Sequence, residues 1–574
     1  MSLCNSSARL RNLALLALTS QVAADCTRQL PTVDLGYAIH QATFNDSRGW
    51  FNFSNIHYAS APRFGAPAPV TGVDRQVNDG QTPGICPLKL PVWFGFSTLY
   101  QTGQLSLDEV DSMFTELQNL SPGSDASLID QYITEPDLIV TEDCLTLDVV
   151  VPETIWEKVH DASETGDRDA APVLVWLYGG GYVLGDKNSA GNPAGLIAEA
   201  QKDGSDGVIY VAINYRVGFF GFASGPDYEE QGGVSNLGLR DQRFALEWIQ
   251  KNIHLFGGNP HNVTVMGESA GGGSVLHQLT AYGSTSGAPF KRAILQSPGF
   301  EVNTGATKQT LRYNKALDWA SYFSNSSVTT LEDLKELPFD VIEKVNQITV
   351  ATTYWGSFGW GPATDGDFVP DLPGVLFSEN KFDSSVEIFS AHNSDEGFIF
   401  ASPLIKDDEL YITSLFKLLL PDASEEIIGY ITTELYPAVY NGTYPWKTPL
   451  ERTSTTIAES WFICNNYFLN KAMGGNAFNY LFDVPPGYHG TDIHYTFFNN
   501  EASSGGLPLN VSVADTLQAY LTTFAKTGSP NGPDSPYIPL YGVNATVMSI
   551  YNKTLVVDVA ATKRCDWWQR ALYR

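Results

Sequence analysis

The chain has 574 residues, of which 43% are hydrophobic and 12% aromatic, enough apolar material for a large core. Acidic residues outnumber basic ones 63 to 34 and leave a formal net charge of -29. Such a surface repels nucleic-acid phosphates and anionic membranes, which excludes both as the main partner.

The N-terminus reads "MSLCNSSARLRNLALLALTSQVAADC". Arg9 and Arg11 precede an apolar run from Leu13 to Leu18, and Val22, Ala23 and Ala24 supply the small residues of a cleavage site before Asp25. Residues 1–24 therefore read as a secretory signal peptide, and 25–574 as a single domain. No later segment approaches the roughly 20 apolar residues that cross a bilayer, so no stable membrane insertion is expected. Export agrees with Asn-x-Ser/Thr glycosylation sites at Asn45, Asn52, Asn119, Asn262, Asn325, Asn441, Asn510, Asn544 and Asn552. Beyond the signal peptide the cysteines are Cys26, Cys86, Cys144, Cys464 and Cys565, an odd set that forms at most two bridges. Spacing alone does not assign the pairs.

The first informative local pattern is "LSLDEVDSMFTELQNLSP", an amphipathic helix in which Ser106 and Glu109 form a capping box and Leu107, Val110, Phe114 and Leu117 share one side. It follows the aromatic stretch "LPVWFGFSTLY". Next comes "PVLVWLYGGG", a buried strand ending in Gly179, Gly180 and Gly181. Apolar strands ending in polar or glycine-rich loops then recur in "GVIYVAINYR", "NVTVMGES", "RAILQSPG", "VEIFSAHNSDEG" and "FNYLFDVPPGYHG". Between them lie helical patterns such as "LRDQRFALEWIQKNI", where Leu239, Phe244, Leu246, Trp248, Ile249 and Ile253 mark an apolar side. Strands alternating with helices predict an α/β fold, a mostly parallel sheet with helices on both faces, whose functional groups gather at the carboxyl ends of the strands.

At one such end stands "GESAG", a Gly-x-Ser-x-Gly run after a strand and before a helix. The motif reads as a nucleophile elbow, a turn so tight that side chains at Gly267 and Gly271 would meet neighbouring backbone, leaving Ser269 exposed at the apex. The following helix N-terminus offers N–H groups to developing negative charge, and the three glycines at 179–181 let a second loop approach for the same purpose. A hydroxyl needs a base, and the base needs an orienting acid. In chain order Ser, acid, His, the base is His489, in the loop after "FNYLFDV"; His277 lies in the helix behind the serine, His392 precedes the acid candidates, and His494 falls in the next turns. For the acid, Asp395 and Glu396 in "HNSDEG" both remain open, because adjacent loop residues point different ways. Asp492 is a third option whose ordinary role is a helix N-cap or first-turn carboxylate.

The segment "FGGNPHNVTVMGESAG", residues 256–271, closely resembles the serine signature of type-B carboxylesterases, the cholinesterase-like branch of the α/β-hydrolases, and "EDCLTLDV", residues 142–149, resembles their second signature. The likeness extends through "NYRVGFFGF", "NLGLRDQRFALEWI", "DGDFVPDLP" and "RCDWW", from about residue 30 to the end. It implies an α/β-hydrolase fold and carries the acid to Glu396, the base to His489 and the oxyanion donors to Gly180, Gly181 and Ala270. It further implies disulfides Cys86–Cys144 and Cys464–Cys565, ion pairs Arg63–Glu142 and Arg216–Asp241, and no partner for Cys26. A third bridge and the C-terminal oligomerisation tail of vertebrate cholinesterases are missing, and the oligomeric state is left open. The loop closed by Cys86 and Cys144 is longer than in cholinesterases, and family precedent sets it near the mouth of the site as a lid. Trp93, Phe94, Phe96 and Tyr100 then either line the entrance or pack the loop onto the body.

Taken together these features imply a secreted serine ester hydrolase acting on a small-molecule ester, with no cofactor or metal. The overall pattern resembles secreted fungal members, some of which tailor esters or lactones in secondary metabolism. A lipase acting on long-chain acylglycerols is the alternative within the class. A non-catalytic adhesion protein is the alternative outside it, and such relatives usually lack a triad member.

Overall fold

A computed structural model describes residues 30–134, 139–160, 170–500, 510–533 and 535–574. The signal-peptide reading and Cys26 lie outside the described residues.

The apolar runs fold into one 11-stranded sheet. Seven strands run parallel in the spatial order Ile209–Ile213, Ala171–Leu177, Gly258–Glu268, Arg292–Gln296, Glu387–Asn393, Phe478–Phe482 and Thr546–Ser549. Six of the seven are the strands read from the sequence; Thr546–Ser549 is a short extra one. Antiparallel strands extend both edges. Thr146–Pro152, Trp50–His57 and Thr43–Asn45 continue from Ile209–Ile213, and Thr554–Val557 closes the far side. The fold class is that expected, with an antiparallel extension that the apolar-run pattern did not mark.

The strand Ala171–Leu177 shows why the sheet is covered on both faces. Side chains alternate along a strand, so Val173, Val175 and Leu177 enter one core while Leu174 and Trp176 enter the other. All five are essentially inaccessible. The helix Leu237–Asn252 buries Leu239, Leu246, Trp248 and Ile249 against the sheet, while Phe244 is half-buried. Asp241 on the same helix is fully buried and accepts bonds from the backbone N–H of Arg216 (3.1 Å) and from its Nε (2.8 Å) and Nη2 (2.7 Å). Removing either partner would strand the other charge in the interior, so this pair fixes the loop after Ile209–Ile213. Arg63 pairs bidentately with Glu142 at 2.8 and 2.6 Å.

Both implied disulfides are present, Cys86–Cys144 and Cys464–Cys565. Inside the first loop three helices form, Val92–Gln101, Leu107–Gln118 and Ala126–Asp130. Ser106 caps the second through the expected reciprocal box with Glu109. Val110 and Leu117 are buried and Phe114 packs on the core, but Leu107 is exposed because it occupies the first helical position, at the open end of the apolar stripe. The four aromatic residues divide: Trp93 and Phe96 are buried, Phe94 is half-buried and Tyr100 is exposed. Trp93 donates its Nε1–H to the Ser357 carbonyl at 2.6 Å and rests on Trp355, Phe358 and Phe400. Packing is thus the main role of Trp93 and Phe96. Trp93→Ala is expected to destabilise the fold by about 3–5 kcal/mol, the range for truncating a buried Trp or Phe. Chemical denaturation measures it, and an unchanged midpoint would contradict this packing role.

Seven of the nine glycosylation-type asparagines are exposed. Asn52 and Asn262 are half-buried, and the Asn262 amide oxygen accepts from Arg292 Nη1, which makes these two poor acceptors for a glycan.

Candidate active site

The strand Gly258–Glu268 lies between two parallel neighbours, Ala171–Leu177 and Arg292–Gln296, and the helix Ala270–Thr280 leaves immediately from its tip. Ser269 joins them with φ 56° and ψ -121°, a left-handed conformation unfavourable for a residue with a Cβ. The glycines on either side make that turn possible. A Cβ on Gly267 would come within 2.5 Å of the Gly271 carbonyl carbon, and one on Gly271 within 2.1 Å of the Leu177 carbonyl oxygen. The Ser269 N–H donates to the Gln296 carbonyl (3.0 Å), and its own carbonyl accepts from Gly273 (2.8 Å) and Gly299 (3.0 Å), so the backbone of the turn is fully engaged.

The loop after Phe478–Phe482 brings His489 to the same sheet edge. Ser269 Oγ donates to His489 Nε2 at 2.7 Å, and His489 Nδ1–H donates to Glu396 Oε2 at 2.5 Å. A carboxylate can only accept, so the Nδ1 proton belongs to the histidine and Nε2 is left as the acceptor for the serine. The second Glu396 oxygen accepts the Asn393 N–H at 2.5 Å. Asp395, the competing acid, faces elsewhere: its N–H bonds the Gly487 carbonyl (2.9 Å) and its carboxylate accepts from Ser454 Oγ (3.1 Å).

The remaining candidates fall outside this line. His277 is buried against Phe300, and burial pushes its imidazole down to about 3, which keeps it neutral. His392 pairs with buried Asp558 at 2.9 Å. His494 is half-buried in the short helix Ile493–Thr496. Asp492 does occupy the N-cap position of that helix, but its side chain makes no capping bond. It is buried instead, accepting from Gln296 Nε2 (3.1 Å) and Asn393 Nδ2 (3.3 Å), which ties the His489 loop to two neighbouring strands.

One group that sequence reading passed over is Glu268. It immediately precedes the serine, is buried, and its Oε1 lies 3.5 Å from His489 Nε2. Its position in the signature did not show that it faces the imidazole, since only the elbow geometry turns it there. Burial pushes Glu268 up to about 8, with His489 opposing the shift. Burial disfavours a charged His489, but Glu268 and Glu396 outweigh it and raise the imidazole to about 9. Although burial alone would raise Glu396, the His489 charge and hydrogen bond, with the Asn393 N–H, hold it below the usual carboxylate range. Only neutral His489 can accept a proton from Ser269. Activity is therefore expected to rise with pH through an inflection above the ordinary imidazole value of about 6.5. Glu268→Gln removes a negative neighbour, so the imidazolium is less favoured and the inflection should move down. A kcat/KM profile against pH checks this; an inflection that stays put or rises would contradict it.

The loop after Ala171–Leu177 lies against the elbow, since a Cβ on Gly179 would fall 3.0 Å from the Ser269 Cβ. Gly180 and Gly181 have φ 108° and 60°, and the Gly180 carbonyl accepts the N–H of Val183 (3.1 Å) and Leu184 (3.2 Å), which closes the turn. A Cβ on Gly181 would overlap the Phe358 ring at 2.1 Å. Gly181, Ser269 and Ala270 line one cavity of about 20 Å³, walled by Tyr182, Phe300, Phe358, Trp360, Trp461 and Phe462. The wall residues come from segments far apart in the chain and had no local signal. Glu301 also lines it. This arrangement can deprotonate a hydroxyl beside a small, largely aromatic-walled cavity that Gly181 and Ala270 also line. Among the described residues no cluster of three or more His, Cys, Asp or Glu is placed to hold a metal ion.

A family model described as "Carboxylesterase family" matches residues 40–568. The chain belongs to the carboxylesterase family. As a carboxylesterase it is 36% identical over 567 residues to "Carboxylesterase patB" of Penicillium expansum, an alignment covering 97% of this chain and 98% of the relative. A protein named as a secreted lipase from Arthroderma benhamiae is 28% identical over 69% of this chain and 72% of its own length. Among solved structures, EstA of Aspergillus niger matches 94% of this carboxylesterase and 98% of its own chain with a TM-score of 0.73 at 22% identity, a likeness of fold. Members of the family act on small ester substrates, and among the described residues no helix of this one is long and apolar enough to cross a membrane.

Proposed function

We propose that this carboxylesterase is a secreted serine hydrolase working through an acyl-enzyme on the Ser269–His489–Glu396 triad. The observation that carries the reading is the unbroken line of two hydrogen bonds from Ser269 Oγ through the imidazole to Glu396. Ser269 Oγ attacks the ester carbonyl as His489 Nε2 takes its proton; Glu396 holds the ring and balances the imidazolium. The carbonyl oxygen, now anionic, accepts N–H bonds from Gly180, Gly181 and Ala270. Collapse expels the alcohol, protonated by His489, and a water activated by the same nitrogen then hydrolyses the acyl-serine and restores the serine hydroxyl.

Secretion is supported by the N-terminal leader pattern, two disulfides, seven exposed glycosylation-type asparagines and a relative named as secreted. A non-catalytic adhesion role is disfavoured by the hydrogen bonds that link Ser269, His489 and Glu396. For the substrate, we favour a small ester or lactone of fungal secondary metabolism, and the alignment with a fungal carboxylesterase over nearly the whole chain supports it. The tight aromatic cavity fits a small acyl group better than a long chain, and the long loop Cys86–Cys144 serves as a lid over its mouth. The relative named as a lipase favours the second reading, a long-chain acylglycerol substrate. Nitrophenyl esters of graded acyl length test both. A burst of nitrophenol equal to the enzyme concentration, with kcat/KM highest for short acyl groups, is expected; no burst would contradict the acyl-enzyme, and a long-chain optimum would favour the lipase.

A further inference from the structure

The acid and the base reach the site on two separate loops, Glu396 after the strand Glu387–Asn393 and His489 after Phe478–Phe482. Asn393 bonds both. It ends its strand and is 1% exposed. Its backbone N–H holds Glu396 Oε1 at 2.5 Å. Its side-chain Nδ2 donates to the Tyr488 carbonyl (2.8 Å) and to Asp492 Oδ1 (3.3 Å). The first acceptor immediately precedes His489 and the second follows it by three residues, so one amide grips the loop on either side of the imidazole.

The partners set the amide's orientation. A carbonyl and a carboxylate face it, and only its nitrogen carries hydrogens, one for each acceptor. Asn393 Oδ1 meets no donor among the described residues. Burying a polar side chain is costly unless it is bonded, and the bonds that offset the cost here both run to the His489 loop. The main chain at Asn393 is anchored without the side chain, because its carbonyl accepts from His392 Nδ1 (2.9 Å) and His392 Nε2 pairs with Asp558. The His489 loop has other ties as well: the Asp395 N–H donates to the Gly487 carbonyl (2.9 Å), Phe398 stacks on Tyr488 at 4.7 Å, and Gln296 holds Asp492. Loss of the Asn393 amide therefore leaves both loops attached but loosens the peptide that carries His489.

We propose that Asn393 is a positioning residue of the catalytic site, setting the His489 imidazole against the Glu396 carboxylate by bonding one loop through its backbone and the other through its side chain. The inference rests on the triad reading and deepens it. Asn393 acts through the bond from His489 Nδ1–H to Glu396 and takes no part in bond making.

This role reaches the pH dependence of the base. Burial disfavours the imidazolium, and the charges that outweigh it are Glu268 facing Nε2, Glu396 on Nδ1 and buried Asp492. Drift of the ring from Glu396 weakens one of them. Asp492, stripped of a donor, also holds its charge less firmly, which acts in the same direction. Both effects make the imidazolium less favoured.

The test is Asn393→Leu in the full-length enzyme, which is close to the native side chain in size, keeps the backbone N–H and removes both amide donors. For a nitrophenyl ester, kcat is expected to fall roughly ten- to hundred-fold with KM little changed, the scale of a small misplacement of a catalytic group. The inflection of kcat/KM against pH should move down. A merely packing role would lower the melting temperature and leave that inflection where it is. Native kcat, or a loss of kcat with the inflection unmoved or raised, overturns the proposal. Should Asn393→Leu not fold, Asn393→Ser, whose single hydroxyl hydrogen serves at most one of the two acceptors, is judged by the same two readouts. Failure of the triad reading looks different, since Ser269→Ala would then keep its activity.

Discussion

Ser269→Ala lowers kcat for any ester by on the order of a million-fold, the scale seen when a triad nucleophile is removed. The serine is the only hydroxyl the described structure bonds to His489 Nε2, and its backbone is held by the elbow independently of the side chain. Loss of Oγ should therefore leave the fold intact, and the melting temperature of the variant should stay close to that of the native enzyme. Steady-state turnover of a nitrophenyl ester measures the loss. Activity within about ten-fold of native would move the chemistry away from the elbow.

Replacing Glu396 by Gln should lower kcat by on the order of ten-thousand-fold, because an amide nitrogen beside Nδ1 favours the wrong tautomer and leaves the imidazolium unbalanced. Asp395→Asn should leave most of the activity, since the Asp395 carboxylate is bonded to Ser454 and not to the imidazole. The two residues are neighbours of nearly the same chemistry, so the comparison controls for local charge. Equal losses, or a larger loss at Asp395, would contradict the assignment of the acid.

Much of this architecture could be read from local pattern. Six strands of the parallel sheet announce themselves as apolar runs because both faces are buried, and "GESAG" announces the elbow because the Gly-x-Ser-x-Gly spacing is itself local, although the contact that demands Gly271 comes from the distant Leu177 carbonyl. Where the outcome depends on tertiary approach, local pattern fails. Asp395 and Glu396 could not be separated until the Asn393 N–H and the His489 loop closed around Glu396. Trp93 and Phe96 are as suited by pattern to an entrance as to a core, and packing is decided for Trp93 by its partners Trp355, Phe358 and Phe400 and for Phe96 by its burial in the core. Asp492 followed its local pattern in position and departed from it in contact, because Gln296 and Asn393 offer it buried donors. The strands Trp50–His57 and Thr146–Pro152 extend the sheet antiparallel, a direction that no single run encodes.

The most direct measurement of the central claim is peptide mass spectrometry after treating the native enzyme with a small organophosphate. A single covalent adduct on the peptide carrying Ser269, appearing in step with the loss of esterase activity and absent in Ser269→Ala, is the predicted result. Inactivation with the adduct on any other residue, or full labelling of Ser269 with activity retained, would contradict it.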